Sequence, residues 1–178
     1  MNSRGLAEEA AGLSAEEQGF LALILVWLQS PLLRLDSSPK GRERTDVCVR
    51  LLESSFDAVV GSGVSTLIRE VEGSEELLLE EEPEDLSVYR VDFQSALLYA
   101  LQAAEGNPEA ITWCCICVGD SLDFAVEAGL AAEPESLEPA LRSLIGSLRE
   151  APVLTEDSAR RLRSGIREYV DAIAASIG

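Results

Sequence analysis

The chain has 178 residues, 47% of them hydrophobic, and a formal net charge of −18 without one histidine. That length predicts one domain with a real core, and that apolar content excludes global disorder. The missing imidazole excludes Ser-His-Asp and Cys-His nucleophile pairs, an imidazole base and the Glu-x-x-His ligands of carboxylate di-metal bundles, so no enzyme, metal or cofactor is expected.

Residues 1–12 are small and polar, which predicts a flexible N-terminus over 1–13 ahead of a single helical domain, 14–178. Ser14 to Glu17 reads as a capping box for a helix from about Ala15 to Gln29, apolar nearly all round after Phe20 and therefore central. Its unbroken apolar run, Phe20–Leu28, falls short of the ~20 residues that cross a bilayer and follows an acidic segment unlike a secretory leader. A cytoplasmic protein without a membrane anchor is expected. Pro31 ends or kinks this helix, and the polar stretch Asp36–Arg44 reads as a loop carrying Lys40, Arg42 and Arg44.

Thr45 or Asp46 caps a second helix to Val60, with Val49, Leu52, Phe56, Val59 and Val60 at helical spacing. Gly61 to Gly63 breaks it, being too short and lacking the lysine of a phosphate loop, and helical character resumes from Val64 to Glu72. Ser74 to Glu82 reads as a short helix or turn. A strong helix follows from Asp92 to Ala104, with Gly106 at C′. Asn107 and Pro108 then start a helix to about Glu127, mostly apolar through Ile111–Val118 and closed by Gly129.

Pro134 and Pro139 bracket the start of a helix carrying Leu137, Leu141, Leu144, Ile145 and Leu148. Thr155 caps the last, whose stripe is Leu162, Ile166, Tyr169, Val170, Ile173 and Ile177. Glu156–Arg160, Asp157–Arg161 and Arg167–Asp171 are opposite-charge pairs four apart on its outer face. No segment alternates at period two. The fold class predicted is all-α, a single compact bundle of six to seven helices.

Charge is unevenly placed: residues 70–140 carry −17, with Arg90 their lone cation. Solubility alone would spread it, so the concentration points to a basic partner and away from nucleic acid, whose phosphates need cationic faces. The candidate partner-binding run is Glu75, Glu76, Leu77, Leu78, Leu79, Glu80, Glu81, Glu82, Glu84 and Asp85, an apolar anchor inside an acidic rim. Asp120, Asp123 and Glu127 form one acidic strip at helical spacing, without the loop and turn glycine of an EF-hand. Cys48, Cys114, Cys115 and Cys117 read as core thiols, because a continuous apolar helix is not the paired Cys-x-x-Cys turn of a structural zinc site. Thirteen arginines against one lysine match a GC-rich bacterial coding bias.

Glu82–Leu86, Asp92, Ala96, Leu97, Ala100, Leu101 and Gly106 give an acidic-proline approach, an Ala/Leu helix, a glycine break and a second helix. Over residues 80–128 this resembles the small helical bacterial YjaG-like family, which implies a helical fold and assigns no residue a role. In character the chain is also similar to the acidic immunity proteins of bacterial toxin systems. The expected function is non-catalytic binding and neutralisation of a basic protein, with a toxin as the foremost partner. The alternative is a self-associating structural or adaptor protein, a homodimer in which the Lys40–Arg44 loop meets the acid of a second copy.

Overall fold

The computed structural model describes residues 1–61, 63–74, 88–132, 134–150 and 153–177. Among these residues there are eight α-helices and no strand. The all-α class holds, and the helix number is one above the expected range.

The additional helix is at the start. Instead of fraying, Ser3–Ala10 forms α1, capped by the Asn2 side chain, which accepts from Gly5 N at 3.0 Å. Leu6, Ala7 and Ala10 are buried, and Arg142 and Arg149 hold Glu9 from a later helix, through its carboxylate and its carbonyl oxygen respectively. Three buried apolar positions in eight residues are too few for periodicity to reveal. Tertiary packing supplies what an isolated helix this short lacks.

Helix α2, Ala15–Gln29, has the expected capping box: Ser14 N donates to Glu17 Oε2 at 2.7 Å, and Glu17 N donates to Ser14 Oγ. Phe20 to Val26 and Leu28 are all essentially inaccessible, so α2 is the axis of the molecule. Each fully buried large side chain contributes roughly 1.5–3 kcal/mol of burial. The α-helix ends at Gln29 as expected, and Pro31 kinks the path that follows. It opens a 3-10 turn, Ser30–Leu35, and Ala15–Leu35 together is long and apolar enough to cross a membrane, with 78% of its most apolar stretch buried inside the fold.

Helix α3, Pro39–Val60, begins six residues before the predicted cap. Ser38 accepts from Gly41 N at 2.9 Å and Pro39 sits in the first turn, where its missing N–H is no loss. Lys40, Arg42 and Arg44 are therefore helical, not a loop. The Gly61–Gly63 break holds, Gly63 taking φ +128° before α4, Val64–Glu72.

Helix α5, Val88–Ala104, starts one turn earlier than expected, with Tyr89 and Arg90 buried. It ends at Gly106 (φ +92°) in a Schellman motif: Asn107 N donates to Gln102 O and Gly106 N to Ala103 O, both at 3.0 Å. Helix α6, Ala110–Glu127, begins two residues after Pro108, because Asn107 Oδ1 caps Glu109 N at 3.1 Å in a preceding turn. It closes the same way as α5, with Gly129 at φ +70° and Leu130 N donating to Ala125 O at 2.8 Å.

Helices α7, Leu137–Glu150, and α8, Glu156–Ser176, match the expected elements, and Thr155 with Ser158 caps α8. Helix α5 packs against both α2 and α6; α1 packs on α6; α3 and α8 also pack on α2, and α3 reaches α5 as well.

Candidate functional site

Of the predicted partner-binding residues, Glu75, Glu76, Leu77, Leu78, Leu79, Glu80, Glu81, Glu82, Glu84 and Asp85 lie outside the described residues. Asp120, Asp123 and Glu127 are described, all on the second half of α6.

Three faces of α6 are occupied. Cys114, Cys115, Val118, Leu122 and Ala125 are buried toward the core. On the α1 side, a Cβ on Gly119 would overlap Ser3 Oγ, and Asp123 accepts from the Met1 ammonium at 3.0 Å. On the α5 side, Cys117 Sγ donates to Asp92 O at 3.2 Å, Ser121 Oγ donates to Asp92 Oδ2 at 2.7 Å, and the Phe124 ring lies 6.3 Å from that of buried Tyr89. Gln29 Nε2 donates to Ser121 Oγ at 3.0 Å, extending the polar chain into the core. Burial pushes the Asp92 carboxyl above the ordinary carboxylate range, against the Ser121 hydrogen bond.

The fourth face is open to solvent. It carries Glu109 just before the helix, then Trp113, Ile116, Asp120, Phe124 and Glu127, spaced 4, 3, 4, 4 and 3 apart. Trp113 is 51% exposed and Phe124 57% exposed. Two large aromatics turned outward on one helix face are not needed by the core, and carboxylates stand between and beyond them. Asp120 and Glu127 make no ion pair among the described residues, whereas Asp123 is taken by Met1. The predicted strip therefore divides: Asp120 and Glu127 face solvent together, and Asp123 serves the α1–α6 contact.

Sequence reasoning missed Trp113, Ile116 and Phe124 as surface groups. The run Ile111–Val118 reads as core throughout, yet the interleaved 4-3-4-4-3 spacing from Glu109 was the signal for a second stripe.

A cleft of about 1010 Å³ lies between α3 and α8. Its floor is Phe20, Trp27 and Phe56, and the Arg163 guanidinium sits 4.0 Å above the Phe56 ring and 5.0 Å from that of Trp27. The charges here answer one another. Both Glu53 carboxylate oxygens accept from Arg163 Nη2, at 2.7 and 2.9 Å; Arg160 pairs with Glu156 and Asp157; Arg167 pairs with Asp171. Asp157 therefore meets Arg160, not Arg161 as its spacing predicts. Asp57, also on the lining, makes no ion pair among the described residues, and the cleft otherwise reads as a structural seam of paired charges.

The thiols are core groups. Cys48, Cys114 and Cys115 are buried, Cys117 is half-buried, and all are free. Burial pushes the Cys48, Cys115 and Cys117 thiols up to about 12 and Cys114 well above its usual value. Among the described residues no group of three or more His, Cys, Asp or Glu side chains is placed to hold a metal ion.

Comparison with protein-family models, with curated proteins and with solved structures finds no match in any of the three.

Proposed function

We propose that the protein is a non-catalytic, cytoplasmic binding protein that uses its acidic side to bind and neutralise a basic protein, with a bacterial toxin as the expected partner, in the manner of an immunity protein. The observation that carries this reading is the open face of α6, where Asp120 and Glu127 make no ion pair among the described residues and stand beside exposed Trp113 and Phe124. Charge placement supports it further: residues 91–141 contain nine carboxylates and no lysine or arginine. Carboxylates so arranged raise the rate of encounter with a cationic surface and select against anionic ones.

The test is affinity capture from the source cells at low salt, followed by identification of the bound protein. The expected partner carries a cationic surface and is released as salt approaches ~1 M, where charges are screened beyond about 3 Å. A partner without such a surface, or binding unchanged by Asp120→Lys and Glu127→Lys combined with Glu80→Lys, Glu81→Lys and Glu82→Lys, sinks the reading.

A further inference from the structure

We propose that the open face of α6 is the seat of one helix of the partner, an amphipathic helix with cationic flanks, lying along Glu109, Trp113, Ile116, Asp120, Phe124 and Glu127. This rests on the reading of the chain as an acidic binding protein and specifies where and what it binds. The 4-3-4-4-3 spacing is the one that keeps contact groups on a single seam between two helices. Trp113 and Phe124 are eleven residues apart, which puts them about 16 Å apart along the axis and nearly in line, since eleven residues make almost three turns. Asp120 lies between them and Glu127 one turn beyond.

A partner helix thus meets apolar anchors at both ends of the seam and a carboxylate in its middle. Its lysines or arginines reach Asp120 and Glu127, and an arginine can also lie across an aromatic face. Phe124 also packs at a tilt against the ring of Tyr89, 6.3 Å between centroids, while more than half of it stays exposed to a partner.

A second copy of this chain fits the seam poorly. Antiparallel pairing that sets Trp113 against Phe124 also sets Glu109 against Glu127, and parallel pairing sets Asp120 against itself. Both oppose like charges, and no lysine or arginine occurs on α6 to relieve them.

The experiment uses the full chain carrying Trp27→Phe, which leaves Trp113 as the only tryptophan. The probe is an 18-residue helical peptide with leucines on one seam and lysines and arginines flanking it. Its controls are the same peptide with glutamate for each cation, and a scrambled sequence of equal charge. The expected result is a blue shift of Trp113 emission with the cationic amphipathic peptide alone. Its affinity should fall about tenfold or more in each of Trp113→Ser (read by peptide anisotropy), Phe124→Ser and Asp120→Lys. These side chains are exposed, and circular dichroism verifies that the variants fold.

Binding that survives all three variants but is lost on reversing Glu80 to Glu82 overturns the α6 seat and leaves the acidic-binding reading intact. Equal binding of the scrambled peptide, or no binding of the cationic peptide, overturns the helix proposal, and partner capture then decides the broader reading separately. A dimer in sedimentation equilibrium that Trp113→Ser converts to monomer assigns the seam to a second copy and overturns it as well.

Discussion

Gly19→Ala tests the packing at the centre of the fold, because two effects of opposite sign meet there. In an exposed helix interior this change stabilises by roughly 0.8–1 kcal/mol, since glycine is the more entropically costly residue. At position 19 the new Cβ would stand 2.4 Å from Ala104 Cβ, 2.8 Å from its Cα and 3.0 Å from its N. Carbon atoms pack at about 3.5–4.0 Å, so α2 and the end of α5 must part by roughly 1 Å. Two of the three crowded atoms are backbone, and no rotamer change relieves them. Overpacking of this kind costs about 1–3 kcal/mol. Set against the propensity gain, the clash leaves a net loss of up to about 2 kcal/mol. At ~2–4 °C per kcal/mol for a chain of this size, Tm falls by up to about 8 °C.

Thermal unfolding followed by circular dichroism reads the effect, with Gly146→Ala and Gly165→Ala as controls. Both glycines are inside helices, α7 and α8, with nothing within 4 Å of an added Cβ. They should gain about 0.5–1 kcal/mol each from the same substitution. Adding Ala104→Gly to Gly19→Ala should recover only part of the loss, because the Cα remains at 2.8 Å. A Gly19→Ala protein at least as stable as the parent refutes the reasoning, as does a loss of equal size in the two controls.

Arg163→Ala should lower stability by about 1–2 kcal/mol in urea, with Arg163→Lys restoring little, because a lysine cannot both lie flat on Phe56 and bind Glu53 with a planar guanidinium. A fully stable lysine variant refutes that account. The folded protein at pH 8 should react with a disulfide reagent at Cys48, Cys114 and Cys115 only as fast as it unfolds, and all four thiols should react at once in denaturant; a fast-reacting native thiol among those three refutes their burial. Asp92 has its folded pKa raised by burial, so its ionisation opposes folding: the site is most favourable below the unfolded carboxylate range and loses stability as pH rises through the folded pKa. Asp92→Asn should therefore be more stable than the parent at pH 7, with the gap closing toward about pH 4, and a gap independent of pH refutes the assignment.

Helices with a local signature were readable from the chain. Ser14 and Glu17 announce α2, Thr155 announces α8, and Gly106 and Gly129 sit at the predicted C′ positions with positive φ. The failures share a physical cause, which is that composition was allowed to outweigh position. Ser38 and Pro39 form a cap and a first-turn proline, yet the polar residues after them read as loop. The helix α1 is legible only through Asn2, because its stability comes from Arg142, Arg149 and Gly119 far along the sequence. In the candidate site, Asp120 and Glu127 were visible as charge, while Trp113 and Phe124 were hidden by an apolar run whose inner and outer stripes overlap. The run Glu75–Asp85 lies outside the described residues.

The two sides of the molecule solve the same electrostatic problem differently. Along α8, Arg160 pairs with Glu156 and Asp157, Arg167 pairs with Asp171, and Arg163 reaches across to Glu53 on α3. Such a surface answers its own charges and has little left with which to recruit a partner. Along α6 the carboxylates have no answering cation on their own helix, and self-repulsion there lowers stability without helping the core. Solubility does not require this, since α8 is equally polar at near-neutral local charge. Nor does solubility account for tryptophan and phenylalanine on the same open face, where they work against it. On the reading proposed above, the combination is a division of labour in binding: acid would set the encounter and the orientation, and the aromatics how long the partner stays. The stability forgone on α6 would then be a property of the unbound state, recovered if a cationic helix covers the seam.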